Sequence, residues 1–506
     1  MSGPAASLQL PRAQGTRARR WRRVDAWTGR LPTAAWICAV VAFANAASWS
    51  LITPAFQAPD EPSHFAYVQD LAEAGTLPTS SSESFSPTEE AALADLDQRE
   101  VRYSPQNHTI SSAAQQRQLQ RDLSLPLPRV GLSAGVAASE PPLYYALETL
   151  PYLDGSGGNI LDSLALMRIF SALYAGLSAL FVFLFLREAL PAVRWAWTVG
   201  GLGVAFAPLL GLMSGAVNPD ALLCAVSAAL FYCLARGFRR GLTPRLALVT
   251  GLVIAAGLLT KLNFIGLIPG ATLGLALLTV RARAVYGRVA WRSLALALTA
   301  ALVPVGVYVL ANILIDRSAY GLVASGIASF TAHGSELREL SYIWQFFLPR
   351  LPGMHNYFPG LPTTRKFWVD GFIGLYGWLD TVFPAWVYNI ALIPLALLGA
   401  LLTRALLANR HALRRRAAEL IVYATLTIGL MMLVGASDYS GYPADIGNYA
   451  QPRYLLPVIA LYGAAIALAA RGAGRRWGPV AGTSILVLLI AHDIFSQLLE
   501  ISRYYS

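Results

Sequence analysis

Two carboxylates and a histidine stand close together after the first apolar segment, in the stretch APDEPSHFAYVQDLAEAG at 58–75. Only 13% of the residues in the chain are charged, so such a group is unusual here. In a helical first turn, Asp60 and Glu61 lie four and three positions before His64, and the three side chains share a face. Paired carboxylates suit acid–base chemistry, because one takes a proton from an incoming hydroxyl while the other orients that hydroxyl or a metal ion.

A purely structural interpretation of this stretch is also open. The apolar spacing predicts a helix over 62–74, lying on the membrane surface. Asp60 stands at the N-cap position, Pro62 suits the first turn and Gly75 suits the stop. This interpretation explains the aspartate as a helix cap, but it leaves the neighbouring glutamate and histidine unexplained.

The composition indicates the class of fold. The chain has 506 residues, of which 55% are hydrophobic, and apolar runs of about 20 residues, the length that crosses a bilayer, recur along it. They predict an all-α polytopic membrane protein with about eleven transmembrane helices. The predicted spans are 33–52, 163–186, 194–214, 219–236, 246–261, 263–280, 293–315, 385–405, 417–436, 454–470 and 478–498.

The distribution of charge predicts the orientation. With the N-terminus inside, the inner segments hold 25 of the 39 Lys and Arg residues, as expected for cytoplasmic loops. We therefore expect a multi-pass plasma-membrane protein with a cytoplasmic N-terminus. The predicted regions are a basic tail 1–32, a transmembrane core 33–315 with an outer loop 53–162, a second outer loop 316–384, C-terminal helices 385–498 and an outer tail 499–506. The first outer loop also has short helical patterns near 88–100 and 112–122.

Several classes of function are disfavoured. The net charge of +11 is spread between apolar runs rather than gathered on one face, which argues against a nucleic-acid partner. The inner loops are short and basic and contain no P-loop or GxGxxG motif. Chemistry is therefore expected on the outer face, where an activated substrate would arrive through the lipid.

More polar side chains stand at the outer ends of later spans. They are Glu140 and Tyr144 in SEPPLYY, Asn218 and Asp220 in NPD, Lys261 in a tight turn, and Gln451, Arg453 and Tyr454 in QPRYLLP. Each has a structural explanation as well: an interfacial aromatic helix, a helix cap, a snorkelling lysine and an interfacial anchor, respectively. Together, outer carboxylates and isolated cations suit a phosphate ester whose tail lies in the bilayer.

Four stretches, PDEPSHF, EPPLYYAL, VNPDALL and QPRYLLP, follow one another within about 33–470. In this order they resemble a bacterial family of predicted multi-pass membrane proteins. That family looks like a branch of the GT-C glycosyltransferase superfamily, which includes protein mannosyltransferases and the lipid A aminoarabinose transferase. The resemblance implies polyprenyl-phosphate sugar donors, extracytoplasmic chemistry that usually inverts the anomeric centre, and juxtamembrane helices at 62–74 and 141–153. It also implies an essential acid in the first outer loop, at Asp60 or Glu61. Some GT-C members bind a divalent metal, and the first loop here has no clear DxD motif, so metal dependence stays open.

The hypothesis is an inverting glycosyltransferase that acts on a cell-envelope glycan or lipid acceptor. Asp60 is the expected base and Glu61 its assistant, Lys261 and Arg453 bind the donor phosphate, and the remaining substrate-binding residues are His64, Glu140, Tyr144, Asn218, Asp220, Gln451 and Tyr454. Two alternatives remain. A transporter or flippase would need polar residues deep within its spans, and a polymerase of lipid-linked glycans would differ only in its acceptor.

Overall fold

The computed structural model describes residues 31–78, 82–109, 112–131, 133–315, 317, 336–358, 364–441 and 451–505. Nearly all of the predicted basic tail 1–32 and part of the second outer loop lie outside the described residues. Within the described part, nine helices are long and apolar enough to cross a membrane. They are Thr33–Ile52, Ile160–Ala189, Asp220–Arg240, Leu262–Ala284, Arg288–Leu314, Ala385–Ala408, Ala417–Tyr439, Pro452–Gly472 and Gly478–Tyr505.

The two other predicted spans form helices of a different kind. Helices Arg194–Ala205 and Pro208–Ser214 meet at a bend of 58° and make a tenth span if they are counted together. Pro208 lacks a backbone N–H and disfavours helical geometry at the residue before it, which explains the break. Helix Pro244–Thr260 has 17 residues and is shorter than the other spans. The all-α polytopic fold is therefore confirmed, and the described residues contain nine or ten spans by length where about eleven were predicted.

Two of the spans begin with a tight 3₁₀ turn on the side of the candidate site. These turns cover Leu262–Leu267 and Pro452–Val458, and the α-helices that follow them are Ile268–Tyr286 and Ile459–Gly472. The last helix continues to Tyr505, so residues 499–505 are helical rather than a separate tail.

The first outer loop folds into short helices that pack on the transmembrane helices. Its elements are Glu61–Ala74, Pro87–Asp95, Gln98–Val101, Ala113–Leu123, the 3₁₀ turn Gly135–Ser139 and Leu143–Gly155. The four predicted helical stretches are therefore confirmed within a few residues. Residues 61–70 are buried on every side, whereas we had predicted a helix lying on the membrane surface. A hydrophobic core that includes Phe65, Phe85, Tyr145 and Val217 covers that helix.

The later outer region contains a helix and a small hairpin. Helix Glu336–Phe347 is followed by a π-helical turn Thr364–Asp370, a short helix Gly371–Gly374 and the antiparallel strands Leu375–Tyr376 and Thr381–Val382. At the opposite end of the spans, a short helix Arg410–Arg415 precedes Ala417–Gly441.

The two ends of the helical bundle differ in charge. Helix Asp220–Arg240 is about 32 Å long, which is close to the thickness of a bilayer core. At its basic end, Arg239 Nη1 donates to the carbonyl of Arg187 (2.9 Å), and Glu188 lies within ion-pair distance of three arginines of this helix. Its other end carries Asp220, beside the first outer loop. The predicted separation of basic loops from the acidic site is therefore present.

Candidate functional site

Four segments meet at the acidic end of the bundle. Asp60 lies in the first outer loop, Asp220 begins a long span, Lys261 follows helix Pro244–Thr260, and Arg453 lies in the 3₁₀ turn before Ile459. Three of these side chains are less than a tenth exposed, and the side chain of Asp60 keeps 29% of its surface. The fold therefore brings together four residues that were each predicted separately, because each stands at the end of a helix.

Asp60 does not cap its helix. It precedes helix Glu61–Ala74, but its side chain makes no capping hydrogen bond. Its carboxylate instead accepts a hydrogen bond from Arg453 Nη2 in an ion pair. The backbone φ of Asp60 is +62°, in the left-handed region that asparagine and aspartate tolerate better than most residues. The helix-cap interpretation of the Asp60 side chain is therefore wrong, because this carboxylate pairs with Arg453 instead.

The ion pair continues into a row of alternating charges. Lys261 Nζ lies 2.8 Å from Asp220 Oδ1, and Arg453 Nε lies 3.9 Å from Asp220 Oδ2. These last two atoms are buried and have no hydrogen-bond partner among the described residues. Buried polar atoms are normally hydrogen-bonded, so the N–H of Arg453 Nε is available to donate to an oxygen atom of an incoming group.

Asn218 holds the row to the first outer loop. Its Oδ1 accepts a hydrogen bond from the backbone N–H of Asp220 (2.9 Å), as a helix-capping side chain does. Its Nδ2 donates to the carbonyl of Pro59 (3.3 Å). One amide side chain thereby fixes the backbone beside both aspartates.

Glu61 is fully buried and accepts four hydrogen bonds from three residues. Arg168 Nε donates to Glu61 Oε1 (2.7 Å), and Nη2 of the same arginine contacts Oε2. The backbone N–H groups of Phe56 and Val217 also donate to this carboxylate, each at 3.0 Å. Arg168 donates further to the carbonyls of Ser50, Thr53 and Pro54. A carboxylate with such partners anchors the loop, and this geometry differs from the assisting role predicted from sequence.

His64 is buried and lies close to a tyrosine. Its Nδ1 is 2.9 Å from the hydroxyl of Tyr145, and the Tyr145 ring stacks on Tyr67 with centroids 3.7 Å apart. The predicted residue Tyr144 points away, with its hydroxyl 2.7 Å from Ser171 Oγ. The tyrosine that contacts the histidine is therefore the neighbour of the predicted one.

Glu140 joins the turn that contains Lys261. Its Oε2 accepts a hydrogen bond from the backbone N–H of Leu262 (3.2 Å). Arg317, which the sequence analysis did not single out, donates to the carbonyl of Glu140 (3.2 Å) and to that of Pro78 (2.9 Å). The sequence feature that could have pointed to Arg317 was its positive charge on the side of the membrane that we predicted to be outside.

Burial and nearby charges affect the pKa of Asp60 differently from those of His64 and Glu140. Burial alone would raise the pKa of Asp60, but the charge of Arg453 and its hydrogen bond outweigh burial and hold that pKa below its usual value. Burial lowers the pKa of His64 to about 3, helped by the charge of Lys261, so this imidazole is neutral near pH 7. Burial raises the pKa of Glu140, against the opposing charge of Lys261. Asp60 is therefore the ionised carboxylate that has both an exposed face and a cationic partner.

A cavity of about 340 Å³ opens beside Asp60. Asp60, Gln451, Arg453 and Tyr454 are predicted site residues that line it, and Arg453 lies over the ring of Tyr454, 5.4 Å from its centroid. Its other lining residues are Pro62, Ser63, Glu83, Phe85, Gln98, Arg99, Arg102, Tyr103, Val136 and Trp378. The cavity is thus formed by the first outer loop, the later hairpin and the start of a span.

No group of three or more His, Cys, Asp or Glu side chains is arranged to hold a metal ion in the part of the chain that the structure describes. The divalent metal that the family resemblance left open is not tested by this finding and stays a prediction.

Comparisons with known proteins give two matches. The model of a family described as "Predicted membrane protein (DUF2142)" matches residues 43–462. No curated protein matches the sequence. Among solved structures, the crystal structure of ArnT from Cupriavidus metallidurans in the apo state aligns with a TM-score of 0.45 and 14% identity. This alignment covers 85% of the present chain and 59% of the ArnT chain.

Proposed function

The chain belongs to the DUF2142 family of predicted membrane proteins, and we propose that it is a membrane glycosyltransferase that takes a sugar from a polyprenyl-phosphate donor. The observation that carries the proposal is the row Lys261, Asp220, Arg453 and Asp60, which ends at a cavity. It places an ionised carboxylate beside two cations where membrane helices begin. A hydroxyl acceptor and a phosphate leaving group require this combination.

Asp60 is the general base in this proposal. An acceptor hydroxyl in the cavity attacks the anomeric carbon while its proton passes to the Asp60 carboxylate. The bond between the anomeric carbon and the phosphate oxygen breaks, and the electron pair leaves with the polyprenyl phosphate. Attack opposite the leaving group inverts the anomeric centre. Positioning both reactants beside Asp60 supplies a large part of the rate enhancement.

Arg453 and Lys261 bind the donor phosphate. A guanidinium presents several N–H donors in a fixed plane and suits the oxygen atoms of a phosphate. Arg453 Nε is buried and makes no hydrogen bond among the described residues, so it is available to donate to a phosphate oxygen. Cations held in place before the reaction stabilise the negative charge that develops on the leaving group.

Donor binding also activates the base. In the free protein Arg453 contacts Asp60 and lowers the pKa of that carboxyl, which makes it a weak base. A phosphate that binds Arg453 draws the guanidinium away and adds a like charge nearby, and both effects raise the pKa of Asp60. The carboxylate therefore becomes a stronger base when a donor is present.

The remaining predicted residues position this machinery. Glu61 anchors the loop through Arg168, Asn218 fixes the backbone at Pro59 and Asp220, and Glu140 holds the turn after Lys261. Gln451 and Tyr454 line the cavity and contribute to substrate binding. Tyr144 supports the core behind His64.

In this proposal the site lies on the outer side of the membrane. Basic loops at the other end of the bundle favour the cytoplasm, which supports a position of Asp60 and the cavity at the extracytoplasmic face of the plasma membrane. The donor reaches Arg453 through the lipid, and the acceptor is a glycan or lipid of the cell envelope.

The deciding experiment uses the full-length protein in lipid nanodiscs with a panel of polyprenyl-phosphate sugars and measures release of free polyprenyl phosphate. We expect Asp60→Asn to abolish release, because asparagine keeps the left-handed backbone but cannot accept the proton. Asp122→Asn, in a helix of the same loop, is the control and should release polyprenyl phosphate at the wild-type rate. Equal release by Asp60→Asn and the wild type would overturn the proposal.

A transporter or flippase is the second candidate. Asp493 favours it, because this residue lies in the middle of the last span, Gly478–Tyr505. Trp49 Nε1 donates to Asp493 (3.2 Å), and Gln497 Nε2 donates both to Asp493 (3.0 Å) and to Asn45 (2.9 Å). Such interhelical hydrogen bonds also hold membrane helices together, so this network fits either function. Movement of a lipid-linked glycan without release of polyprenyl phosphate would identify a transporter.

A further inference from the structure

The lining of the cavity includes two neighbouring aromatic rings from distant parts of the chain. The ring centroids of Tyr103 and Trp378 lie 5.5 Å apart at an interplanar angle of 67°. The guanidinium of Arg102 lies 5.8 Å from the Tyr103 centroid and 5.5 Å from that of Trp378. All three residues line the cavity that contains Asp60, and together we call them the aromatic clamp.

The backbone of the clamp is held in a costly conformation. Tyr103 has a φ of +61°, which is strained for a bulky side chain, and its side chain is 62% exposed. Trp378 lies between Gly377 (φ +54°) and Leu379 (φ +63°), at the tip of the small hairpin. Strain of this kind persists where surrounding structure enforces it and is concentrated at functional sites.

Arg503 contacts both chain segments that carry the aromatic clamp. This buried arginine, near the end of the last helix, pairs with Asp380 of the hairpin at 2.7 Å. It also donates to the carbonyls of Val101 (2.9 Å) and Ser104 (3.1 Å), which flank Arg102 and Tyr103. A single side chain therefore fixes the segment that carries Tyr103 relative to the segment that carries Trp378. An exposed tyrosine ring held this firmly against the largely buried Trp378 at the edge of a cavity indicates a prepared binding surface.

The chemistry of the lining indicates the ligand. Three arginines line the cavity against two carboxylates, Asp60 and Glu83, which favours an anion. The contact of Arg102 with Glu83 is a single one of 3.3 Å at a partly exposed carboxylate. Exposed ion pairs of this kind are weak, so Arg102 is able to turn to a ligand. Aromatic faces take the C–H face of a pyranose ring, and a volume of about 340 Å³ is within the range of small-molecule sites.

We propose that the aromatic clamp of Arg102, Tyr103 and Trp378 is a subsite for a saccharide that carries a negatively charged substituent. The role of this subsite as the acceptor site rests on the proposed function, in which a sugar hydroxyl of the acceptor lies beside Asp60. Its binding of an anionic saccharide does not depend on that function. The ring lies against Tyr103 and Trp378, and its phosphate or carboxylate contacts Arg102.

The test measures binding to the full-length protein in phosphatidylcholine nanodiscs, without a donor. Glycoside detergents are avoided because their head groups are sugars. The probes are glucose 6-phosphate, glucose and inorganic phosphate, titrated by calorimetry. We expect glucose 6-phosphate to bind at least about ten-fold more tightly than either of the others, because it uses both the rings and the arginine.

Variants locate the site. Tyr103→Gly relieves the backbone strain of the positive φ and removes the aromatic ring. We therefore expect a normally folded protein that binds glucose 6-phosphate about three- to ten-fold more weakly. Tyr103→Phe keeps the ring and should retain binding. Arg102→Gln should weaken binding roughly ten-fold by removing a charged contact. The control is a matched exposed pair at the opposite end: Arg476 lies 5.8 Å from the ring centroid of Trp477, and Arg476→Gln with Trp477→Gly should leave binding unchanged.

The outcomes separate this proposal from the proposed function. Asp60→Asn loses transfer but should bind glucose 6-phosphate at least as well as the wild type, because it removes a negative charge. Binding that depends on Tyr103 supports the subsite even if no donor is ever turned over. Equal affinity for inorganic phosphate and glucose 6-phosphate, or binding unaffected by Tyr103→Gly and Arg102→Gln, overturns it.

Discussion

Asp60 and Arg453 lie 393 residues apart in the chain and form an ion pair at the edge of the cavity. The pair connects the first outer loop to the start of a span near the C-terminus. It is asymmetric, because the Arg453 side chain is 4% exposed and that of Asp60 is 29% exposed. The carboxylate can therefore meet a substrate from the cavity while the guanidinium stays within the protein.

Arg453→Lys tests the need for a guanidinium. Lysine keeps the positive charge but cannot contact Asp60, Asp220 and a phosphate in one plane. We expect the KM for the polyprenyl-phosphate donor to rise about ten- to hundred-fold, the cost of a lost charged hydrogen bond. Steady-state release of polyprenyl phosphate measures this value. Arg239→Lys, at the basic end of the bundle, is the control, and an unchanged KM for Arg453→Lys would show that Arg453 does not bind the donor.

Glu61→Gln tests the anchoring role of the second carboxylate. Loss of its charge leaves Arg168 buried without its carboxylate, and breaking a buried pair in this way costs about 3–5 kcal/mol. We expect a large fall in the free energy of unfolding, measured by thermal unfolding in nanodiscs. Glu90→Gln breaks the partly exposed pair with Arg99 and should cost at most about 1 kcal/mol. A stable Glu61→Gln protein that is inactive would instead assign Glu61 to catalysis, as the sequence analysis had predicted.

Hydropathy and charge were sufficient to predict most of the helices and to single out four charged residues that the fold brings together. Apolar runs fix the spans because the bilayer sets their length, and isolated polar residues at span ends marked Asp60, Asp220, Lys261 and Arg453. Sequence patterns could not decide between adjacent residues. The side chains of adjacent helical residues point in directions about 100° apart around the helix axis. Only contacts with distant segments decide which of two neighbours, Asp60 or Glu61, or Tyr144 or Tyr145, faces the site.

The same physical reason explains why the contacts of Arg168 and Arg503, and the aromatic clamp, could not be predicted from the sequence. Arg168 finds Glu61 across 107 positions, and Arg503 contacts Val101 across 402. Trp378 has no local pattern that links it to Tyr103. Such contacts are set by how helices pack, and a single sequence carries no periodicity that encodes them.

His64 should make stability depend on pH. The histidine pKa is about 6.5 in an unfolded chain, whereas burial first, and the charge of Lys261 next, lower the pKa of His64 to about 3 in the folded protein. Below about pH 6.5 the unfolded chain therefore binds a proton that the folded chain does not, and stability falls by up to about 1.4 kcal/mol per pH unit. Thermal unfolding at pH 7.5 and 5 should show a smaller loss for His64→Gln than for the wild type. His108→Gln, in the first outer loop, is the control. The same pH dependence in His64→Gln and the wild type would contradict this assignment.

Asp220→Asn tests whether Asp220 competes with the donor for the two cations. Asp220 pairs with Lys261 at 2.8 Å and lies 3.9 Å from Arg453. Its neutralisation leaves more positive charge for a phosphate, so we expect free polyprenyl phosphate to inhibit the variant at roughly ten-fold lower concentration. Turnover should fall because the product leaves slowly. Glu419→Gln, which breaks the pair with Arg416 at the basic end, serves as the control. Weaker inhibition of Asp220→Asn than of the wild type would mean that Asp220 positions Lys261 and Arg453 rather than competing for them.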